Sequence, residues 1–311
     1  MIRVANFEIP CYNKHKNNRR YSRSDICSGL VENIEKSGLN VYGIEIFHDN
    51  DIVFRHMLSD DIRYPVYSAT KAFTATAAGI ACDEDKFSVE APLCEYLEKK
   101  YLQNMPAKLR QEFCKVTVKR FLTMSVNGYP FRPDGDDWLE TVLKINADYS
   151  ENSFSYTNIS AYLVGVACEN AVGGNLSEYM KTRLFEPLGI TDPKFQYDPQ
   201  GRFYGATGMY LTVHELSLLG QLYLQRGVFE NTRVLSENWC MEAVSRQIDN
   251  VEGGYGYFFW TKGDHFSISG KWGQKCLVYP QKKLTITYLG DMPESSDKML
   301  SLAENFAENY E

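Results

Sequence analysis

The chain has 311 residues, 44% hydrophobic and 23% charged, an ordinary globular composition whose length calls for two lobes or one large composite domain. Its 33 basic and 40 acidic residues leave a formal net charge of -7, which excludes a general nucleic-acid binder with a basic face. No stretch approaches the roughly 18 apolar residues that span a bilayer.

Residues 1–6 hold neither an apolar core nor a small-residue cleavage site, so a cytoplasmic protein is expected. The basic run 14–23 reads as a solvated lead into the first helix. Residues 24–37 carry Ile26, Leu30, Val31 and Ile34 on one helical face, with Gly38 as the stop. Residues 39–47 and 52–57 read as strands joined by the turn His48-Asp49-Asn50-Asp51. Residues 69–82, rich in Ala and Thr, predict a buried helix. Further helices are expected at 116–124, 138–145, 158–172 and 176–188, with an exposed loop at 129–135, then at 213–225 and 236–246. Short β-branched or aromatic runs at 255–260, 266–269, 275–279 and 284–289 predict strands, and 299–306 a closing helix. Strands at both ends with helices between predict an α+β fold: one antiparallel sheet built from both termini, carrying a helical insertion. The eight cysteines are scattered without a C-x-x-C pair and read as reduced and mostly buried.

Three segments can carry chemistry. In Ser68-Ala69-Thr70-Lys71 the hydroxyl and the amine, three residues apart on a helical turn, project from one face. Free N–H groups and the positive dipole end at a helix start stabilise an alkoxide or oxyanion and disfavour a charged lysine. A lysine desolvated there can act as a base near neutral pH. The bland alternative is an N-cap serine and a surface lysine, but the apolar run from Ala72 to Gly79 is no exposed-face pattern. In Tyr156-Thr157-Asn158 the phenol can shuttle a proton and the carboxamide can hold Lys71 or a substrate carbonyl. Taken alone, Asn158 reads as a helix cap. In Ser269-Gly270-Lys271 small residues on an edge strand let a substrate backbone lie close, and an N–H there can complete an oxyanion hole. Taken alone, this is a Gly-rich hairpin turn.

In this order the three segments resemble the serine β-lactamase and penicillin-binding-protein superfamily, closest to its class C β-lactamase and esterase branch, which has Tyr-x-Asn as its middle motif. Residues 116–125 are similar to that branch's helix before a Thr-Ser-Gly-Leu loop, and Phe185-Glu186-Pro187-Leu188-Gly189 to its F-x-P-L-G helix end. Gly208 to Thr212 resembles its G-G-L-x-S-T segment, and Gly273-Gln274 through Pro280 its G-Q strand, so the likeness spans roughly residues 41–289. It implies a β-lactamase/transpeptidase-like fold, with five or slightly more antiparallel strands flanked by terminal helices, plus a helical lobe. Residues 1–67 and 205–311 would form the sheet lobe and 68–204 the helical lobe of a single composite catalytic domain. It also implies catalysis by Ser68, Lys71 and Tyr156, and substrate or oxyanion contacts from Asn158, Ser269, Gly270 and Lys271. Neither a metal nor an organic cofactor is implied.

One position departs from the branch. Where it has Lys-Thr-Gly or His-x-Gly, this chain has Ile268-Ser269-Gly270, and Ile268 cannot bind a substrate carboxylate. That weakens the case for a β-lactamase or D-alanyl-D-alanine peptidase, which stays as the alternative within the same chemistry, and favours ester or amide hydrolysis through an acyl-enzyme on Ser68. A non-catalytic sensor on the same fold is the alternative from another class. The expected partner is a small-molecule ester, amide or peptide-like substrate, with no nucleic acid and no membrane span, and no residue pattern assigns an oligomeric state. G-x-S-x-G and P-loop motifs are absent from the sequence, and His214-Glu215 has Leu218 where a zinc helix has its second histidine, so Glu215 reads as an exposed helix residue. The aromatic run 255–260 reads as sheet core, with Trp138 and Trp272 as candidate pocket walls.

Overall fold

The computed structural model describes residues 23–310. The expectations for residues 1–6, for the basic run up to residue 22 and for Cys11 lie outside the described residues. Helix α1 (Arg23–Lys36) buries Leu30, Val31 and Ile34. It stops where Gly38, at φ 63°, lets the Leu39 N–H return to the Ile34 carbonyl. Strands β1 (Val41–His48) and β2 (Asp51–Met57) form the expected hairpin. A 3-10 turn at Tyr67–Ala69 leads into α2 (Thr70–Asp83), which packs on α3 (Asn158–Val172). Then follow α4 (Val213–Leu224), β3 (Ile248–Asn250), β4 (Gly253–Tyr255), β5 (Trp260–Lys262), β6 (His265–Gly270), β7 (Gln274–Tyr279), β8 (Leu284–Gly290) and α5 (Ser296–Asn309).

These strands form an antiparallel sheet in the order β2-β1-β8-β7-β6-β5-β4-β3, so the termini meet where β1 pairs β8, with Ile46 opposite Ile286. The side-chain period of two assigns each face to its own cover. Ile44, Ile46, Leu277 and Ile286 pack under α1 and α5 against Leu30, Ile34, Met299 and Phe306. Phe266, Ile268, Cys276 and Val278 face the other way, toward α4 and the helical segment. Each such aliphatic side chain, fully buried, stabilises by about 1.5–3 kcal/mol. Helix α4 lies so close that a Cβ at Gly220 would come within 2.4 Å of Cys276 Sγ.

With eight strands among the described residues the sheet is wider than the five or slightly more expected. The run 255–260 is not one strand: Phe258 sits at φ 64°, and a Cβ at Gly256 would meet the Ala243 carbonyl at 2.1 Å. The chain therefore turns there between β4 and β5, and β3 adds the edge.

The helical segment is more broken than its hydrophobic pattern predicts. The expected helices at 116–124 and 138–145 shrink to Val118–Leu122 and Trp138–Leu143, and 176–188 becomes Leu176–Met180 continued by a π turn at Lys181–Phe185. Lys99–Gln103 and Ala107–Phe113 add helices that the pattern did not signal. Cys94 and Cys114 form a disulfide, correcting the expectation that all the cysteines are reduced. The bridge between Pro92 and Thr117 closes this loop and brings the two Cα atoms to 5.3 Å, within the span of such a bond. Glu215 is not an exposed helix residue either. Its side chain closes a capping box with Thr212 and pairs with Arg63 at 2.6 Å. Among the described residues no helix is long and apolar enough to cross a membrane.

Candidate active site

The approach to Ser68 is shaped by the backbone. The Val66 N–H donates to the Met209 carbonyl at 3.0 Å, and Tyr67 then adopts φ 46°, a left-handed conformation costly for a tyrosine. Thr70 Oγ1 clamps this turn by donating to the Tyr67 carbonyl at 2.6 Å. The turn delivers Ser68 beside Lys71, one helical turn on.

Lys71 is 1% exposed, and its Nζ lies 3.1 Å from Ser68 Oγ, 2.8 Å from Asn158 Oδ1 and 2.8 Å from the Ala206 carbonyl. Burial pulls its pKa from 10.5 down to about 7. At that pKa both the ammonium and the neutral amine are populated at neutral pH. As an ammonium Lys71 donates to all three of these oxygens; once neutral, it can keep its two N–H groups on the two carbonyl-type oxygens and turn its lone pair to the serine hydroxyl.

Thr157, not Asn158, caps α3, its Oγ1 accepting from the Ser160 N–H at 3.2 Å. Asn158 is thereby free to point inward, where its Nδ2 donates to the Tyr204 hydroxyl at 3.2 Å. The Tyr156 phenol neighbours the Ser68 hydroxyl, which favours its ionised form. Its ring is walled by Trp260 at 5.6 Å, Tyr255 at 6.1 Å, Phe154 at 6.4 Å and Phe131 at 6.5 Å. This burial pushes the phenol up to about 12, so it stays protonated at neutral pH. Lys71 Nζ sits 4.9 Å from the centre of the same ring.

The third segment ends β6. Pairing with β5 stops at Ser267 opposite Trp260, so, among the described residues, 268–270 have no strand neighbour on that edge. Gly270 presses on the turn before Ser68: a Cβ there would come within 2.2 Å of the Val66 carbonyl oxygen. Lys271 Nζ rests 3.7 Å from the Trp272 ring centre and 4.7 Å from that of Tyr67. Ser269 Oγ bonds to Ser267 Oγ at 3.0 Å and accepts from Lys275 Nζ at 3.1 Å. Ile268 is 0% exposed and points into the core on the opposite face.

A model of the beta-lactamase family matches residues 34–299. The chain belongs to the beta-lactamase family. Within the curated proteins, the 6-aminohexanoate-dimer hydrolase of Paenarthrobacter ureafaciens is 22% identical over 300 residues, covering 87% of this chain and 76% of that protein. The solved penicillin binding protein from Bacillus halodurans aligns with a TM-score of 0.66 at 16% identity, over 89% of this chain and 99% of that one. FmtA from Staphylococcus aureus aligns at 0.72 with 14% identity, over 94% of this chain and 92% of that one. The fold is β-lactamase/transpeptidase-like, and the family is one of serine hydrolases.

Of the seven residues read from the sequence, this beta-lactamase family member bonds Lys71 to Ser68 and Asn158, sets the Tyr156 ring beside Lys71, and sets Gly270 against the approach to Ser68. Lys271 stands at the rim, and the Ser269 hydroxyl turns to Lys275. Trp272 meets Tyr67 edge-on at 5.2 Å at that rim, whereas Trp138 supports Tyr204 from 4.9 Å behind Asn158. Sequence reading missed the Ala206 carbonyl, which carries no residue signature, and Lys275, visible only once the register sets it opposite Ser269.

Proposed function

We propose that this protein is a serine hydrolase that cleaves a small-molecule ester or amide through an acyl-enzyme on Ser68. The observation that carries this reading is the buried Lys71 Nζ, held by Asn158 Oδ1 and the Ala206 carbonyl and 3.1 Å from the Ser68 hydroxyl. As Ser68 Oγ attacks the substrate carbonyl carbon, its proton passes to the Lys71 lone pair. The oxyanion forms beside the Ser68 and Lys271 N–H groups, and losing one such donor typically costs about 100- to 1000-fold in rate. Tyr156, held protonated, gives its proton to the departing oxygen or nitrogen as the carbonyl bond to it breaks, and recovers one from the Lys71 ammonium. Water then repeats the sequence on the acyl group and frees Ser68. The 22% identical relative, by name a 6-aminohexanoate-dimer hydrolase, supports hydrolytic chemistry.

Intact-protein mass spectrometry with p-nitrophenyl butyrate tests the reading. A transient butyryl adduct on the wild type, absent from Ser68→Ala, is expected. An adduct that persists on the variant refutes Ser68 as nucleophile, and no adduct with no turnover favours the sensor alternative.

A further inference from the structure

The chain from Tyr204 to Ala206 is wedged against α2 and α3, and each of these three consecutive residues bonds to one of the two helices. The Ala206 carbonyl accepts from Lys71 Nζ at 2.8 Å, and the Gly205 carbonyl accepts from Thr74 Oγ1 at 2.7 Å. Gly205 stands at φ 73°, where a Cβ would meet the Ala161 carbonyl of α3 at 3.0 Å. Tyr204 makes the third bond. It is 4% exposed, and its hydroxyl accepts from Asn158 Nδ2 at 3.2 Å. Its ring is fixed edge-on by Trp138 at 4.9 Å and Tyr162 at 6.2 Å, and the Tyr162 hydroxyl is tied in turn to the buried Asp198 at 2.7 Å.

An asparagine amide has an oxygen end and an NH2 end, and here the two ends are divided between two residues. Oδ1 accepts from Lys71 Nζ at 2.8 Å, while Nδ2 is taken up by Tyr204. Asn158 is buried, so without that hydroxyl its NH2 group loses the partner, and an unpaired buried donor is costly. A turn of the amide would relieve this cost by bringing the NH2 group to the Lys71 lone pair. That is the lone pair that must take the Ser68 proton. An NH2 group on it would favour the neutral amine and at the same time withhold it from the serine.

We infer that Tyr204 is a positioning residue for the reaction: by accepting from Nδ2 it keeps the Asn158 oxygen on Lys71 and the Lys71 lone pair available to Ser68. This rests on the hydrolase reading above and adds to it a residue that acts on Lys71 only through Asn158. The other titratable groups facing this arrangement are Tyr156, with its ring centre 4.9 Å from Lys71 Nζ, Glu252, which acts on Tyr156 through space, and Arg132, which acts on Tyr204. All three stay in place in the variants that follow.

Tyr204→Phe removes one oxygen and keeps the packed ring, so a melting curve is expected to show a folded protein. The first readout is the titration of Lys71 by NMR in protein carrying isotope-labelled lysine, the signal being assigned by its absence from Lys71→Met. In Tyr204→Phe it is expected to titrate about one pH unit lower than in the wild type. The second is kcat/KM for p-nitrophenyl butyrate at pH 7, expected to fall by about 10- to 100-fold even though more of Lys71 is neutral. A residue serving stability alone would leave the Lys71 titration where it is, and an unmoved titration overturns the proposal. In an Asn158→Ala background the group to be positioned is gone, so adding Tyr204→Phe should change kcat/KM by less than about twofold. A larger further loss overturns the proposal as well. Failure of the ester to acylate wild-type Ser68 instead refutes the hydrolase reading, and the Lys71 titration still decides whether Tyr204 sets the amide.

Discussion

Asn158 Oδ1 lies 2.8 Å from Lys71 Nζ, a buried contact between residues 87 positions apart that joins the first turns of two packed helices. It holds the amine in place without adding charge, so burial alone governs the proton on Lys71. Replacing the amide by a carboxylate removes that balance. For Asn158→Asp the new negative charge favours the ammonium form and raises the pKa of Lys71. The expected outcome is about a 10- to 100-fold loss of kcat/KM at pH 7, partly recovered by pH 9 to 10. A pH–rate profile checks it, and a loss independent of pH contradicts it.

The wild type has its own pH signature. With Lys71 at about 7 and Tyr156 at about 12, kcat/KM should rise with pH up to the neighbourhood of 7 and then stay level to about 10. A flat profile from pH 5 to 9 excludes a lysine base.

Stability should carry the same mark. The folded pKa of Lys71, about 7, lies below its ordinary 10.5, so between these values the unfolded chain binds the extra proton. Stability therefore rises with pH across that window, by up to about 1.4 kcal/mol per pH unit from this residue. Lys71→Met should remove that slope, as measured by urea unfolding at pH 7, 8 and 9.

Gly270→Ala probes the strand edge. Its Cβ would fall 2.2 Å from the Val66 carbonyl oxygen, so either β6 or the turn carrying Ser68 must shift. Displacement of that turn by about 1 Å costs on the order of 100-fold in acylation. Stopped-flow acylation rates, alongside a melting curve showing a folded protein, decide this.

His214 guards a buried carboxylate. Its Nδ1 lies 2.9 Å from Glu45, which is 0% exposed, and this hydrogen bond raises the His214 pKa. Stability from the pair is complete below the ordinary value of 6.5 and fades as pH rises through the folded one. His214→Ala is expected to cost about 1–3 kcal/mol at pH 6 and less at pH 8, read from denaturant midpoints.

By itself the sequence determined the helix and strand periods, the sheet assembled from both termini, and the motifs holding Ser68, Lys71, Tyr156 and Asn158, because periodicity and short spacings are local properties. The split of the run 255–260, the Cys94–Cys114 bond and the capping role of Glu215 were decided by tertiary contacts: a carbonyl with no room for a Cβ, a bridge closing a loop, an arginine from 152 residues away. The same holds for Ala206, a main-chain oxygen, and for Lys275, whose bond to Ser269 exists only through strand register. A proton's affinity for Lys71 depends on what surrounds the amine in space, and that surrounding is assembled from segments the chain keeps far apart.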